Sequence, residues 1–310
     1  MAKVKCPRCM HVNPSGQSEC AKCRTPLPKI RMKEVRETPS PQKPPEALQF
    51  RRGQVVAGRF TVLDLVGHGG MGCIYKVRDN ALGEDVALKT LLPQFARDKM
   101  VVERFFNEAK ITRRLSHPNI VRVHDIGRAG EVIYISMEFL KGRSLRAVLD
   151  ILPRNQPLDL RQVYRILDEL CAALEYAHDY TIHRDIKPEN VMIMDNGPVK
   201  LMDFGISKLM ADANLTGASM VMGTPLYMPP EQLRNSRDVD ARADIFSVGV
   251  MLYEMLTGNL PTGVPQPASH VTPTLPPAMD EVVKRCVAPN PKDRFESASE
   301  LRAALTEVRD

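Results

Sequence analysis

Apolar and polar residues alternate along short stretches of this chain and follow a helical repeat along longer ones. Residues 60–77, FTVLDLVGHGGMGCIYKV, alternate on both sides of a glycine cluster, which predicts two strands joined in a hairpin. Residues 159–180 repeat apolar side chains every three or four positions and predict a long amphipathic helix, and residues 100–115 predict another. Because strand patterns give way to helical ones from about residue 54 onward, we expect an α+β fold.

The bend of the predicted hairpin carries Gly67, Gly69 and Gly72. Glycine has no Cβ atom, so its backbone can approach phosphate oxygens closely. The cluster lies between two predicted strands and not between a strand and a helix, which argues against a dinucleotide-binding fold. This pattern therefore predicts a phosphate-binding hairpin.

Two charged residues stand in or directly after predicted strands. Lys89 lies in the apolar stretch DVALKTL, where an unpaired ammonium group would be costly. A lone strand lysine usually points into solvent, but the following helix offers Glu108 as a partner for a buried one. The spacing alone leaves both alternatives open. Asp203 follows a later strand, just before Gly205.

The stretch TIHRDIKPENVMI, residues 181–193, places Asp185 between Arg184 and Lys187 and then reaches Asn190 and an apolar run. One interpretation is a solvated turn closed by proline. The other is a rigid catalytic loop in which Asp185 and Asn190 face a substrate. The stretch by itself does not decide between them.

Residues 1–27 hold four of the seven cysteines: Cys6, Cys9, Cys20 and Cys23. Two Cys-x-x-Cys pairs separated by ten residues can surround one zinc ion with four thiolates. Two disulfides or a redox pair are the alternatives, and the lack of a secretion signal argues against the disulfides. We therefore predict a structural zinc ribbon over these residues.

Residues 28–54 are rich in proline and charge, which predicts an extended basic linker. Residues 1–52 carry a net charge of +8, whereas the remainder sums to −2. Any attraction to nucleic acid or acidic partners would therefore lie in this tail. Phe50 is its only aromatic residue, so base stacking is unsupported. We expect the ribbon and linker to bind protein and not nucleic acid.

The sequence contains no predicted membrane span or secretion signal. Its best apolar stretch, IFSVGVMLYEML, is too short to cross a bilayer, and the start MAKVKCPRC has no apolar signal core. We therefore expect a cytoplasmic protein.

Seven motifs in chain order resemble those of eukaryotic-like Ser/Thr protein kinases, and GGMGCIYKVRD resembles the bacterial branch. They are the glycine hairpin, VALK, IHRDIKPEN, DFG, GTPLYMPPE, DIFSVGVMLYEMLTG and NPKDRF. The resemblance covers residues 55–308. It implies a bilobal protein-kinase fold, with a small β-rich lobe and a larger helical lobe, after the zinc ribbon.

The resemblance assigns catalytic roles to three residues. It implies that Asp185 accepts the proton of the substrate hydroxyl and that Lys187 neutralises charge on the transferred group. Lys89, paired with Glu108, would anchor the α- and β-phosphates of ATP.

The resemblance also implies ATP and a divalent cation as cofactors. Asn190 and Asp203 would hold Mg²⁺ or Mn²⁺. Met137 falls at the gatekeeper position, with Glu138 and Leu140 in the adenine-binding hinge. The roof of the nucleotide site would consist of nine consecutive residues: Val66, Gly67, His68, Gly69, Gly70, Met71, Gly72, Cys73 and Ile74.

The implied activity is transfer of the γ-phosphate of ATP to Ser/Thr hydroxyls of protein substrates in bacterial signalling, with activation-loop autophosphorylation. A kinase dimer is compatible with it. Lys187 and Thr224 resemble Ser/Thr-specific and not tyrosine kinases, and Glu231 and Arg294 fall where the family forms a buried ion pair. A pseudokinase scaffold is the alternative, but no lysine, base or metal ligand is missing.

Two departures from the family pattern concern substrate docking. Pro229 stands where the family usually has alanine. The stretch 259–277 contains six prolines in nineteen residues, and we expect it not to form the helix that the family has there.

We predict autophosphorylation at Thr216, with Ser219 as a secondary site. Both lie on NLTGASM, within the segment 203–231. The resemblance implies that Arg184 faces this segment when it is phosphorylated, so a phosphate with about −1.5 to −2 charges would bind Arg184 and order the segment. The Thr216→Ala/Ser219→Ala double variant is expected to lose most activity while still binding ATP. Phosphosite mapping after incubation with Mg-ATP, with Asp185→Asn protein as control, tests this. An unmodified segment in fully active enzyme contradicts it.

Overall fold

The structure, a computed structural model, describes residues 3–5, 12–14, 19–24, 50–68, 72–153, 155–204, 225–234, 239–263 and 265–309. Several predicted functional positions lie outside the described residues: Cys6, Cys9, Gly69, Gly70, Met71, the side chain of Glu108, Thr216, Ser219 and Thr224. The chain divides into two compact units, residues 1–43 and 44–310.

The first unit contains a short antiparallel pair of strands, β1 (Lys3–Lys5) and β2 (Val12–Pro14). A turn follows in which the backbone N–H of Arg24 donates to the carbonyl of Cys20 at 2.9 Å. Cys20 is buried and Cys23 is half-buried. Among the described residues, no three His, Cys, Asp or Glu side chains come together as a metal site. Two of the four predicted ligands are not described, so the zinc site stays a prediction.

The second unit begins with an antiparallel sheet. Its described strands are β3 (Val55–Val56), β4 (Phe60–His68), β5 (Gly72–Asp79), β6 (Glu84–Leu91), β7 (Val123–Ala129) and β8 (Val132–Glu138). They pair in the order β3-β4-β5-β6-β8-β7. Helices α1 (Pro93–Ala96) and α2 (Lys99–Arg114) connect β6 to β7, and Asp98 caps α2 by accepting the N–H of Met100. The described residues therefore confirm the hairpin predicted over 60–77 and the helix predicted over 100–115.

Gly72 lies where β5 and β6 approach each other closely. A Cβ atom on Gly72 would lie 2.0 Å from the carbonyl oxygen of Thr90, so any larger residue would displace β6. A Cβ atom on Gly67 would have no heavy atom within 4 Å. The sheet itself therefore requires glycine at position 72, which is a reason that the sequence pattern did not indicate.

The rest of the second unit is mainly helical. Its described elements are β9 (Gly142–Ser144), α3 (Leu145–Asp150), α4 (Leu160–His178), a 3₁₀ turn (Pro188–Asn190), β10 (Val191–Met194), β11 (Val199–Leu201), a second 3₁₀ turn (Pro225–Tyr227), α5 (Pro230–Arg234), α6 (Arg242–Thr257), α7 (Ala268–Val271), α8 (Ala278–Cys286), a third 3₁₀ turn (Pro291–Asp293) and α9 (Ala298–Arg309). Strands β11, β10 and β9 form a small antiparallel sheet in that order. The second unit thus consists of a sheet-rich lobe followed by a mainly helical lobe, and this confirms the predicted α+β fold.

Helix α4 is the long amphipathic helix predicted over 159–180. Asp159 caps its start by accepting the backbone N–H groups of Arg161 and Gln162. Its apolar stripe packs into the core and includes the fully buried residues Val163, Ile166, Leu167, Leu170, Cys171 and Leu174. In the described part of the chain, no helix combines the length and the apolar character that crossing a bilayer requires.

Helix α6 forms the centre of this lobe because almost every residue on its surface is buried. Gly249 on α6 lets α8 approach, since a Cβ atom there would lie 2.3 Å from the Cβ of Cys286. Burial raises the pKa of the Cys171 thiol to about 12 and also raises that of Cys286. Both cysteines are therefore core residues.

The proline-rich stretch 259–277 contains only the four-residue helix α7 among its described residues. Pro267 and Pro277 immediately precede α7 and α8, where a preset φ and a missing N–H are tolerated. The structure thus agrees with the expectation that no normal helix forms there.

Arg294 is completely buried and forms the predicted ion pair with Glu231. Its Nη1 and Nη2 atoms lie 2.6 and 2.9 Å from the two carboxylate oxygens of Glu231. The guanidinium also donates to the carbonyls of Ala288 at 2.8 Å and Arg242 at 3.0 Å. A buried charge is tolerated only with such partners, so this side chain ties α5 to the start of α6.

We expect Arg294→Ala to lower the free energy of unfolding by about 3–5 kcal/mol, because Glu231 and the carbonyls of Ala288, Arg242 and Pro289 lose this donor. Urea unfolding followed by circular dichroism measures the change. Lys284→Ala removes an ion pair with Glu281 whose side chains are 75% and 74% exposed, and should leave stability close to wild type. Equal, small effects in the two variants would contradict this role for Arg294.

Candidate active site

Four polar residues singled out in the sequence come from three parts of the second unit. Lys89 comes from β6, Asp185 and Asn190 from the loop between α4 and β10, and Asp203 from the segment after β11. The Nζ of Lys89 lies 2.7 Å from Oδ1 of Asp203, and the two side chains are 16% and 26% exposed. The side chain of Glu108 is not described, so its pairing with Lys89 stays a prediction.

Asp203 is held as an ionised carboxylate. Burial by itself raises the pKa of Asp203, but the charge and hydrogen bond of Lys89 outweigh this effect and hold the pKa below its usual range. Its backbone has a φ of +58°, a left-handed conformation that aspartate adopts more readily than most residues. Asp203 is therefore placed and charged as a cation ligand would be.

The carboxylate of Asp185 is fixed by two neighbours on its own loop. Lys187 Nζ lies 3.0 and 2.8 Å from its two oxygens. Asn190 Nδ2 donates to Oδ2 at 2.9 Å and to the backbone carbonyl of Asp185 at 2.8 Å. The next residue, Val191, is fully buried. The structure thus favours the rigid-loop interpretation over the solvated turn.

The loop is anchored by Asp244, a fully buried residue of α6. Its Oδ2 accepts the backbone N–H of His183 at 2.8 Å and lies 2.9 Å from Nε2 of His178. Its Oδ1 accepts the N–H of Arg184 at 2.7 Å. Sequence reasoning missed Asp244 and His178, because no local pattern relates Asp244 to a loop about 60 residues earlier.

The ring of His183 connects the loop that carries Asp185 to the segment that carries Asp203. Its Nδ1 accepts the backbone N–H of Asp185 at 3.2 Å, so its proton lies on Nε2, which donates to the carbonyl of Met202 at 2.8 Å. The ring also packs on Phe204, with centroids 4.5 Å apart. One imidazole therefore sets the spacing between Asp185 and Asp203.

The side chains present fit a divalent cation. Because Nδ2 of Asn190 is used on Asp185, the amide oxygen is the atom left for a cation. Together with the ionised carboxylate of Asp203 it forms a set of oxygen donors, the type that Mg²⁺ and Mn²⁺ prefer.

The two sides of β5 have different environments in the predicted nucleotide roof. Ile74 packs against the cluster that contains Ala87 and Met137. Cys73 is 1% exposed and packs with Tyr75 in the cluster on the other side of the sheet. The thiol of Cys73 is therefore core, and only its backbone is available to a nucleotide.

The predicted hinge begins at Glu138, the last residue of β8. Met137 is buried, and Leu140 packs against the same apolar cluster. The carboxylate of Glu138 lies 2.6 Å from Nζ of Lys200 on β11 and accepts the backbone N–H of Arg122 at 2.8 Å. Since the Glu138 side chain is engaged between the lobes, its backbone is the part available to an adenine ring.

Known proteins are similar to this chain over most of its length. The protein kinase domain model matches residues 60–304. The chain is 38% identical over 278 residues to serine/threonine-protein kinase PknB of Mycolicibacterium smegmatis, which covers 83% of this chain and 44% of that protein. It is 39% identical over 282 residues to serine/threonine-protein kinase pkn3 of Myxococcus xanthus, with coverages of 83% and 51%. The chain thus spans about half the length of the curated relatives it matches.

Solved structures agree with this match. The crystal structure of the Mycobacterium tuberculosis PknI kinase domain is 30% identical, with a TM-score of 0.69, and the alignment covers 84% of this chain and 99% of that one. The matched range 60–304 contains Lys89, Asp185, Asn190 and Asp203. On its sequence and its fold, this chain belongs to the protein kinase family.

Proposed function

We propose that this chain is an ATP-dependent Ser/Thr protein kinase that phosphorylates proteins in bacterial signalling. The observation that carries the proposal is the meeting of Lys89, Asp185, Asn190 and Asp203 around one site, with Lys89 and Asp203 2.7 Å apart. A pseudokinase scaffold usually lacks at least one of these groups, and none is missing here. The relatives named as serine/threonine-protein kinases support the same chemistry.

Asp185 acts on the substrate hydroxyl. Its carboxylate accepts the hydrogen bond of the serine or threonine O–H and takes the proton as the oxygen attacks the γ-phosphate. Asn190 and Lys187 already hold the carboxylate in place, so little reorganisation is needed when substrate binds. The ammonium of Lys187 also compensates negative charge on the transferred group.

Lys89 and Asp203 exchange partners when nucleotide binds. Without nucleotide they neutralise each other. On nucleotide binding, the ammonium of Lys89 would turn to phosphate oxygens of ATP, and Asp203, with the amide oxygen of Asn190, would hold the divalent cation. The cation supplies neutralisation of the phosphate charge. Neither side chain is left as an unpaired, partly buried charge at any stage.

We expect Lys89→Met, Asp185→Asn and Asp203→Ala each to retain less than about one hundredth of wild-type phosphate transfer, a loss above about 2.7 kcal/mol. The variants remove the phosphate anchor, the base and the cation ligand, respectively. Transfer of ³²P from ATP measures activity, and thermal unfolding verifies the fold. Lys284→Ala, an exposed position on α8, is the control and should be fully active. A folded variant above that limit contradicts the role given to its residue.

We further propose that the N-terminal segment binds one structural zinc ion through Cys6, Cys9, Cys20 and Cys23 and serves as a protein-binding module. The burial of Cys20 in a segment with few apolar residues supports this, because burial there needs a source of stability other than a core. Its alternative role as a nucleic-acid adaptor lacks an aromatic platform.

Metal analysis of protein purified under reducing conditions should find one zinc per chain. The Cys20→Ala/Cys23→Ala double variant should lose it, because two thiolates do not complete a tetrahedral site. Chelation should unfold only the N-terminal segment and leave the melting of the kinase domain unchanged. Protein without zinc, or a chelator that melts both parts, would contradict the proposal.

A further inference from the structure

We infer that Gln232 is a positioning residue that fixes the peptide directly before Asp185, and this inference rests on the proposed phosphotransfer function. Gln232 lies on α5, and its Nε2 donates to the backbone carbonyl of Arg184 at 2.9 Å, across 48 positions of the chain. Because a carbonyl oxygen only accepts hydrogen bonds, the nitrogen end of the amide must face it. Among the described residues, the Oε1 atom of Gln232 has no hydrogen-bond partner.

The residue that Gln232 contacts has an unusual backbone conformation. Arg184 has a φ of +66°, which a non-glycine residue keeps only when its surroundings hold it. Its N–H donates to Asp244 at 2.7 Å, and its carbonyl accepts from Gln232. The two peptide groups beside its Cα are therefore held by side chains from two different helices. Asp185 is the next residue, so its direction depends on both contacts.

Helices α5 and α6, which supply these two contacts, are themselves tied together. Glu231, adjacent to Gln232, forms the two-point ion pair with the buried Arg294. The same guanidinium donates to the carbonyl of Arg242 at the first residue of α6, the helix that carries Asp244. Gln232 thus lies on a helix that the Arg294–Glu231 ion pair holds in place. Arg294 also sets the distance between α5 and α6, the two helices that hold the Arg184 backbone.

Loss of the Gln232 contact should affect the transfer step and not nucleotide binding. Without the donor, the carbonyl of Arg184 loses its side-chain partner and the strained peptide can relax. A displacement of about 1 Å at a reacting group can slow a reaction by about 100-fold. Lys89 and the glycine hairpin lie on other elements, so affinity for ATP should not change.

Two variants of nearly equal size test the inference in the full chain. Gln232→Met removes the donor, and Gln232→Glu places an acceptor against the carbonyl. We expect kcat per ATP-binding site to fall at least about tenfold in both, with KM for ATP within about twofold of wild type. Arg234→Ala, exposed on the same helix, should keep the wild-type kcat. Should Gln232→Met not fold, Gln232→Glu alone carries the test.

The outcomes separate this inference from the proposed function. If wild-type protein transfers no phosphate, the proposed function fails and this inference fails with it. If wild type and Arg234→Ala are active and the Gln232 variants keep their kcat, only the positioning role is wrong. A loss of kcat that Arg234→Ala shares, or one that comes with a matching rise in KM for ATP, also overturns it, because it indicates a general disturbance.

Discussion

The burial of the Asp244 carboxylate is the constraint on which the loop that carries Asp185 depends. A carboxylate removed from water is tolerated only if donors surround it, and two backbone N–H groups and the ring of His178 do so here. Those N–H groups belong to His183 and Arg184. Any movement of the loop would therefore leave the buried carboxylate of Asp244 without these donors. The loop is thus as rigid as α6, the helix at the centre of the lobe.

The charged side chains at the candidate active site form ion pairs that can separate. Lys89 with Asp203 and Lys187 with Asp185 are each partly exposed, in contrast to Asp244. Partial burial strengthens attraction between opposite charges, while the remaining exposure lets a new partner enter. The structure thus combines a fixed frame, in which the buried charges of Asp244 and Arg294 have their hydrogen-bond partners, with an exchangeable set of ions held in that frame. A phosphotransfer site needs both properties.

Local patterns predicted several of the elements near the site, because each pattern records burial on one side of a strand or helix. The alternation over 60–77 and the apolar repeat over 159–180 correspond to β4, β5 and α4. Where a residue's role depends on contact with a second strand or helix, local patterns did not predict that role. Gly72 looked like part of a phosphate-binding bend, but the close approach of β6 also requires it. Cys73 lies in the predicted roof, yet its thiol belongs to the core on the other side of the sheet.

The sequence by itself determined which chemical groups are present, in which order, and on which kinds of element they lie. The tertiary structure alone decided which groups meet. Lys89 and Asp203 are 114 positions apart, and Gln232 and Arg184 are 48 positions apart. A hydrogen bond between such distant segments leaves no periodic signal in either one, because periodicity arises from repeated contact with one surface and not from a single partner. For Gln232 and Arg184, it is packing around α6 and Arg294 that brings the two segments within bonding distance.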